Sequence, residues 1–267
     1  MRFSLKYTME RKSIIILIVA AIILFLATSA QSELNSQRNF IFVVSIQSTI
    51  SQKHICNGAI LYDQWILTTA KCVRNHRAAD LNIFYGSNDL NGSGKRVGVK
   101  TILINTMFDE KRFKDDAALL RTTTKIDFIA NVSGPVALPA RDVPINAILT
   151  VVGWKLMMNV NDTDTLQYRT TTAISGHQCR QLNPSLDHII RRWLICTKDA
   201  THDEHDEQHT ACSNGLNFGS PLVSVENNIL YGIMSMPRST CGATAINDIY
   251  TNVYAQIHWI WFIIQGM

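Results

Sequence analysis

The densest group of chemistry-bearing side chains is His202-Asp203-Glu204-His205-Asp206-Glu207-Gln208-His209, three imidazoles and four carboxylates in eight residues. Imidazole and carboxylate are ligands for zinc and other divalent ions. Imidazoles also change charge at about pH 6. His202, His205 and His209 have no regular ligand spacing, so a metal- or pH-responsive loop competes with a solvated polar loop. The solvated loop is the expectation, with no metal. A second group is the six cysteines Cys56, Cys72, Cys179, Cys196, Cys212 and Cys241. In an exported chain an even set predicts disulfides, with the pairing left open by count alone. A third is the N-glycosylation sequons at Asn91, Asn131 and Asn161, whereas Asn183 precedes a proline and is excluded.

The elements that position these groups read as strands. Short runs rich in Val, Ile, Thr and Tyr span Phe40–Gln47, Gly58–Thr69, Leu81–Tyr85, Val97–Ile104, Asn146–Val152 and Ile229–Met234. Turn residues separate them, among them Gly86-Ser87-Asn88-Asp89, Asn91-Gly92-Ser93-Gly94 and Ser133-Gly134-Pro135. Many short strands punctuated this way predict an all-β sandwich or barrel. The end differs: Val253, Ile257, Ile260, Trp261 and Ile264 fall at helical spacing, which predicts a C-terminal helix over about 251–264. Its aromatics Trp259, Trp261 and Phe262 are expected to pack rather than bind a ligand. A short helix is expected over Ser185–Arg192.

The start of the chain predicts export. Arg2, Lys6, Arg11 and Lys12 precede an apolar run, Ile14–Leu26, and the small residues Ala27-Thr28-Ser29-Ala30. This order specifies a secretory signal peptide over 1–30, and the run is short for a membrane span. The alternative is an uncleaved anchor. The leader holds four of the 25 basic and one of the 21 acidic side chains, leaving a net charge of about +1. Without a concentrated basic face nucleic-acid binding is not expected. Residues 31–267 suffice for one large unit.

Cys56-Asn57-Gly58-Ala59-Ile60 followed by Trp65-Ile66-Leu67-Thr68-Thr69-Ala70-Lys71-Cys72 resembles trypsin-like serine proteases. Those carry Cys-Gly-Gly-Ser/Ala and then Trp-Val-Leu-Thr-Ala-Ala-His-Cys. Asp115-Asp116-Ala117-Ala118-Leu119-Leu120, Pro135-Val136-Ala137-Leu138-Pro139, Val152-Gly153-Trp154, Gly219-Ser220-Pro221-Leu222-Val223 and Ile249-Tyr250-Thr251-Asn252-Val253 follow in family order. The resemblance implies two antiparallel six-stranded β-barrels with a cleft between them and a C-terminal α-helix. The first barrel would span about 40–138 and the second about 139–250. It also implies the disulfides Cys56–Cys72, Cys179–Cys196 and Cys212–Cys241, each contributing about 2–4 kcal/mol.

Against that family the chemistry is missing. Acyl transfer needs a hydroxyl nucleophile, an imidazole base and an orienting carboxylate. The histidine position is Lys71, an ammonium that accepts a proton only if burial strongly lowers its pKa. The serine falls on Phe218 counting back from Pro221, or on Leu216 counting forward from Cys212. Ser213 and Ser220 fall on neither count, and a Ser220–Lys71 dyad is the remote alternative. Asp116 keeps the aspartate position and is expected to form a partly buried ion pair with Lys71. The aspartate that receives the new amino terminus in family zymogens becomes Asn217, and no Ile-Val-Gly-Gly start is present.

The substrate-pairing strand reads Ser235-Met236-Pro237, and proline cannot donate to an added strand. Thr210 takes the specificity-pocket floor. Asp248 replaces a pocket glycine, with a filled pocket expected. The chain therefore reads as a secreted serine protease homologue, of the kind common in insects, that binds an extracellular protein and uses no cofactor. A metal- or pH-responsive module using the His202–His209 loop is the alternative, and an active endopeptidase a more distant one.

Overall fold

The computed structural model describes residues 40–156, 164–182, 184–199, 217–236 and 248–266. The elements below lie in one compact unit, Ile41–Met267. Twelve strands close two antiparallel barrels of six. The first barrel has β1 (Val43–Ser48), β2 (His54–Tyr62), β3 (Trp65–Thr68), β4 (Leu81–Tyr85), β5 (Lys95–Ile104) and β6 (Ala118–Thr122), ordered β1-β2-β3-β6-β5-β4. The second has β7 (Ile148–Gly153), β8 (Gln167–Ile174), β9 (Leu194–Asp199), β10 (Pro221–Ser224), β11 (Ile229–Met236) and β12 (Ile249–Asn252), ordered β10-β11-β12-β9-β8-β7. The two-barrel architecture with a C-terminal helix is that implied by the resemblance.

Closure follows from the pattern. Each strand sends alternate side chains inward, and a closed sheet leaves no unpaired edge. Val44, Ile46, Ile60, Ile66, Ile83, Leu120 and their neighbours fill the first barrel. Leu149, Val151, Ile195, Leu222, Met234 and Tyr250 fill the second. The single run expected over Gly58–Thr69 is two strands, β2 and β3, folded at Asp63-Gln64 with Ala59 opposite Leu67. No glycine or proline marks that turn. Pro221 opens β10, the place in a strand where a missing N–H is tolerated.

Three α-helices are described: α1 (Ala70–Val73), α2 (Gly176–Leu182) and α3 (Ile257–Gly266). The C-terminal helix starts later than residue 251, because Thr251 and Asn252 pair with Ile233 and Gly232 in β12 and a 3-10 turn over Tyr254–Gln256 intervenes. The helix expected over Ser185–Arg192 is instead α2 upstream, followed by a 3-10 turn at Pro184–Leu186. Pro184 restricts the backbone before it and ends the helical run. The expected packing of the helix aromatics holds only in part. Ile260 is buried and Trp261 meets the Tyr62 ring at 6.0 Å, but Phe262 is 77% exposed. Cys56 is bonded to Cys72 and Cys179 to Cys196. Cys212, Cys241, the leader and the His202–His209 loop lie outside the described residues.

Candidate functional site

Lys71 stands on α1, directly before the disulfide-bonded Cys72. The first N–H groups of a helix lack partners within it. Thr69, at the cap position, makes no side-chain cap here, and its Oγ1 is buried without a partner. Asp116, just ahead of β6, supplies the acceptor instead. Its Oδ1 takes the Lys71 N–H at 2.9 Å, and the Ala70 N–H also turns to it. Its Oδ2 accepts the Ser235 hydroxyl at 2.6 Å. Thr251 Oγ1 donates to the Asp116 carbonyl at 3.0 Å. Asp116 is thus bonded to β11 and β12 of the second barrel as well as to α1.

The expected partly buried Asp116–Lys71 ion pair is present, at the long end of its range. Lys71 Nζ lies 4.0 Å from Asp116 Oδ2, a Coulombic contact without a hydrogen bond. Two backbone N–H groups and a hydroxyl already donate to the carboxylate. The ammonium donates to the Ser235 carbonyl at 3.3 Å and sits 3.4 Å above the Phe113 ring, with the Phe218 ring at 5.9 Å. Burial lowers the Lys71 pKa to about 8, against the raising influence of Asp116 and Glu110; Arg74 lowers it further. Burial likewise pushes the Asp116 carboxyl up, opposed by Lys71, Ser235 and the two N–H groups. Phe113 and Asp115 both hold positive φ, 49° each, a conformation that side chains other than glycine adopt only at a cost. Gln256 bridges Asn105 at 2.7 Å and Asp115 at 2.8 Å, which fixes the segment that carries Phe113.

Phe218 is half-buried and packs on the first-barrel core. The turn beneath it is tightly held. Asn57 N–H donates to the Phe218 carbonyl at 2.8 Å, and Gly219 N–H to Met234 O at 2.9 Å. Gly219 has φ +76°, and a Cβ there would meet Asn57 O at 2.1 Å, so only glycine fits. Ser220 is fully buried. Its hydroxyl donates to Asn217 O at 2.7 Å and accepts from Asn57 Nδ2 at 3.0 Å. Asn57 Oδ1 accepts the Trp154 N–H at 2.8 Å, and its Nδ2 also reaches Trp154 O at 3.2 Å. The Ser220 hydroxyl is therefore bonded away from Lys71.

Asn57 and Ser220 each stand where the compared motifs have glycine. The sequence drew attention to Ser220 only as a possible nucleophile and not to Asn57, yet the two departures compensate each other across 163 positions. Asn57→Ala should strip the Trp154 N–H of its acceptor and lower stability by about 1–3 kcal/mol. Asn57→Ala and Ser220→Ala together should cost less than the sum of the singles, as read by urea unfolding.

The remaining expected positions are dispersed. Asn217 is buried, with Oδ1 unpaired. Met236 ends β11 opposite Ile249. Asp248 is 1% exposed and pairs with Arg169 of β8, a partner the sequence did not point to. Asn91 is exposed and donates to Asp164 at 2.8 Å, and Asn131 sits in an exposed turn at φ 59°. Thr210, Ser213, Leu216, Pro237, Asn161, His202, His205 and His209 fall outside the described residues. Among the described residues no cluster of His, Cys, Asp and Glu suits a metal, and no helix is long and apolar enough to cross a membrane.

Comparison with known proteins agrees with this frame. The chain is 26% identical over 224 residues to Trypsin 5G1 of Aedes aegypti, covering 82% of this chain and 78% of that one. It is 27% identical over 228 residues to coagulation factor XI of Bos taurus, covering 81% of this chain but 34% of that one. The solved structure of the scabies mite inactivated protease paralogue S-D1 superposes with a TM-score of 0.72 at 20% identity, covering 86% of this chain and 94% of the other. The Trypsin family model matches residues 31–260, and with two closed six-stranded barrels in place the chain belongs to the trypsin family.

Proposed function

We propose that this chain is a secreted trypsin-family protein without peptidase activity, which acts by binding another extracellular protein. One observation carries the reading. The histidine position of the family falls on Lys71, an ammonium seated on the Phe113 ring, and the serine position falls on Phe218 or Leu216 by the two counts, neither of which is a nucleophile. A proton acceptor and an oxygen nucleophile are both needed for acyl transfer, and removing either leaves only residual catalysis. The Ser235 and Ser220 hydroxyls are committed, to Asp116 and to Asn217 respectively. Asn217 in place of an aspartate, and no Ile-Val-Gly-Gly start, support the absence of proteolytic activation. The basic and apolar leader supports export. The disulfides fit an oxidising compartment.

The test is labelling of the purified secreted protein with a fluorophosphonate serine-hydrolase probe beside trypsin. No incorporation is expected at probe concentrations that saturate trypsin. Stoichiometric incorporation abolished by Ser220→Ala would sink the proposal.

A further inference from the structure

The segment after β6 presents a contiguous group of exposed apolar side chains. Every residue from Asp127 to Val132 is exposed, and three of them are large and apolar: Phe128 at 48%, Ile129 at 41% and Val132 at 42%. Single exposed apolar side chains are ordinary, whereas a contiguous group marks a surface that something covers. Backbone bonds close the segment into a turn. Ile129 N–H donates to Ser133 O at 2.8 Å, and Ile129 O accepts from the Val132 and Ser133 N–H groups at 3.0 Å each. Asn131 stands in this turn at φ 59°, a conformation that asparagine tolerates better than most residues. It is also the acceptor of the sequon Asn131-Val132-Ser133. The acceptor amide and the apolar group therefore share one closed turn.

We infer that an N-linked oligosaccharide on Asn131 covers this group, with its first sugar on the Phe128 ring, and that the contact stabilises the folded protein. One face of a pyranose is lined by C–H groups with partial positive charge, which suits the negative face of an aromatic ring. Phe128 stands three positions before Asn131 and Val132 follows it directly, so a sugar on the amide has apolar side chains on both flanks. In the transfer the amide nitrogen attacks the anomeric carbon of an oligosaccharide activated as a polyprenyl diphosphate. The C–N bond forms, and the anomeric C–O bond breaks with its electron pair leaving on the diphosphate. One amide proton passes to a carboxylate base of the transferase. The Ser133 hydroxyl is buried and donates to Asp127 O at 2.5 Å, so transfer precedes closure of the turn, during export. Asn91 offers a contrast. Its exposed neighbours Asn88, Asp89, Gly92 and Ser93 are polar or glycine, Leu90 is buried, and its amide donates to Asp164.

The test uses the full-length secreted protein made in glycosylating cells. Occupancy is mapped by peptide mass spectrometry, and thermal midpoints are compared for wild type, Phe128→Ala, Asn131→Asp and the double variant. Asp keeps the left-handed preference while destroying the sequon. Asn131 should carry sugar, and Phe128→Ala should lower the midpoint by about 2–3 °C more with the sugar than in the Asn131→Asp background. Phe128→Tyr, which keeps the ring, should behave as the wild type. A second readout needs no Asn131 variant. Release of the Asn131 sugar from the native protein by peptide N-glycosidase should quicken about two- to fivefold in Phe128→Ala, the factor expected for a ring-face contact at an exposed site. A bare Asn131 overturns the inference and leaves the apolar group open to a protein partner. A Phe128→Ala effect equal in both backgrounds, or an unchanged release rate, overturns it as well. The inference rests on the export half of the proposed function. A chain kept inside the cell without sugar fails both, whereas a secreted chain bare at Asn131 fails this one alone.

Discussion

Asp116→Ala should destabilise the protein by about 3–5 kcal/mol, one of the two largest single-residue losses expected for the chain. The substitution removes the acceptor for the first N–H groups of α1 and for the Ser235 hydroxyl, and leaves the Lys71 charge without its carboxylate. Lys71→Met should cost less than Asp116→Ala, because the Asp116 carboxylate it leaves behind keeps the Lys71 and Ala70 backbone N–H groups and the Ser235 hydroxyl. The double variant Asp116→Ala/Lys71→Met should recover part of the loss, which a double-mutant cycle in urea measures.

The pH dependence has a definite sign. The Lys71 pKa is lower folded, about 8, than its ordinary 10.5, so between those values the unfolded chain binds more protons. Stability contributed through Lys71 therefore rises with pH from about 8 to about 10.5 and is flat outside that window. Asp116 acts oppositely. Its folded pKa is raised, so its contribution is greatest at acid pH and falls as pH climbs through the folded value. The stability gap between the wild type and Lys71→Met should widen from pH 7 to pH 10, the wild type gaining, if Lys71 is the group responsible. A gap that is equal at both pH values would exclude it.

What the sequence made legible, and what it left dark, divides by range. The barrels were readable because strand identity is carried locally, by apolar runs such as Leu81–Tyr85, and because the cysteine and glycine anchors keep family order. Lys71 is legible because it directly precedes the anchor Cys72, whereas the counts from Pro221 and from Cys212 place the serine position on different residues, Phe218 and Leu216. The Asp63-Gln64 turn was not, since neither residue marks a turn in the way glycine or proline does. The form of the Lys71–Asp116 contact was also hidden. Charge and position predict attraction, but the direction in which a carboxylate points depends on its other donors. One of these, Ser235, is 119 positions away in a different barrel. Phe113 had no signal at all: its ring reaches Lys71 through a segment with two positive-φ residues, held by Gln256 near the C-terminus. Asn57 and Ser220 carried a usable signal, two lost glycines, but only contact shows that they belong together.

Asp248→Ala is the other substitution with a loss of about 3–5 kcal/mol, because it removes the carboxylate paired with the buried Arg169 guanidinium. Arg169 lies on β8 opposite Val151 of β7, and Asp248 immediately precedes β12. Only 13% of the Arg169 side chain and 1% of the Asp248 side chain remain exposed. Guanidinium does not deprotonate in proteins, so Arg169 cannot escape the missing partner by becoming neutral, as a lysine does.

Arg169→Met in the wild-type background should cost a similar amount by leaving the Asp248 carboxylate buried. The Arg169→Met/Asp248→Ala double variant should return to within about 1–2 kcal/mol of the wild type, since an apolar pair of similar volume often matches a buried ion pair. Urea unfolding of all four proteins gives the coupling energy. A coupling below about 1 kcal/mol would mean that the pair is held apart in solution. The pair also bears on ligand selection. Asp248 already neutralises an internal guanidinium, so benzamidine should leave the thermal midpoint of the wild type unchanged. An upward shift on adding benzamidine would show that the carboxylate exchanges its internal partner for an external cation.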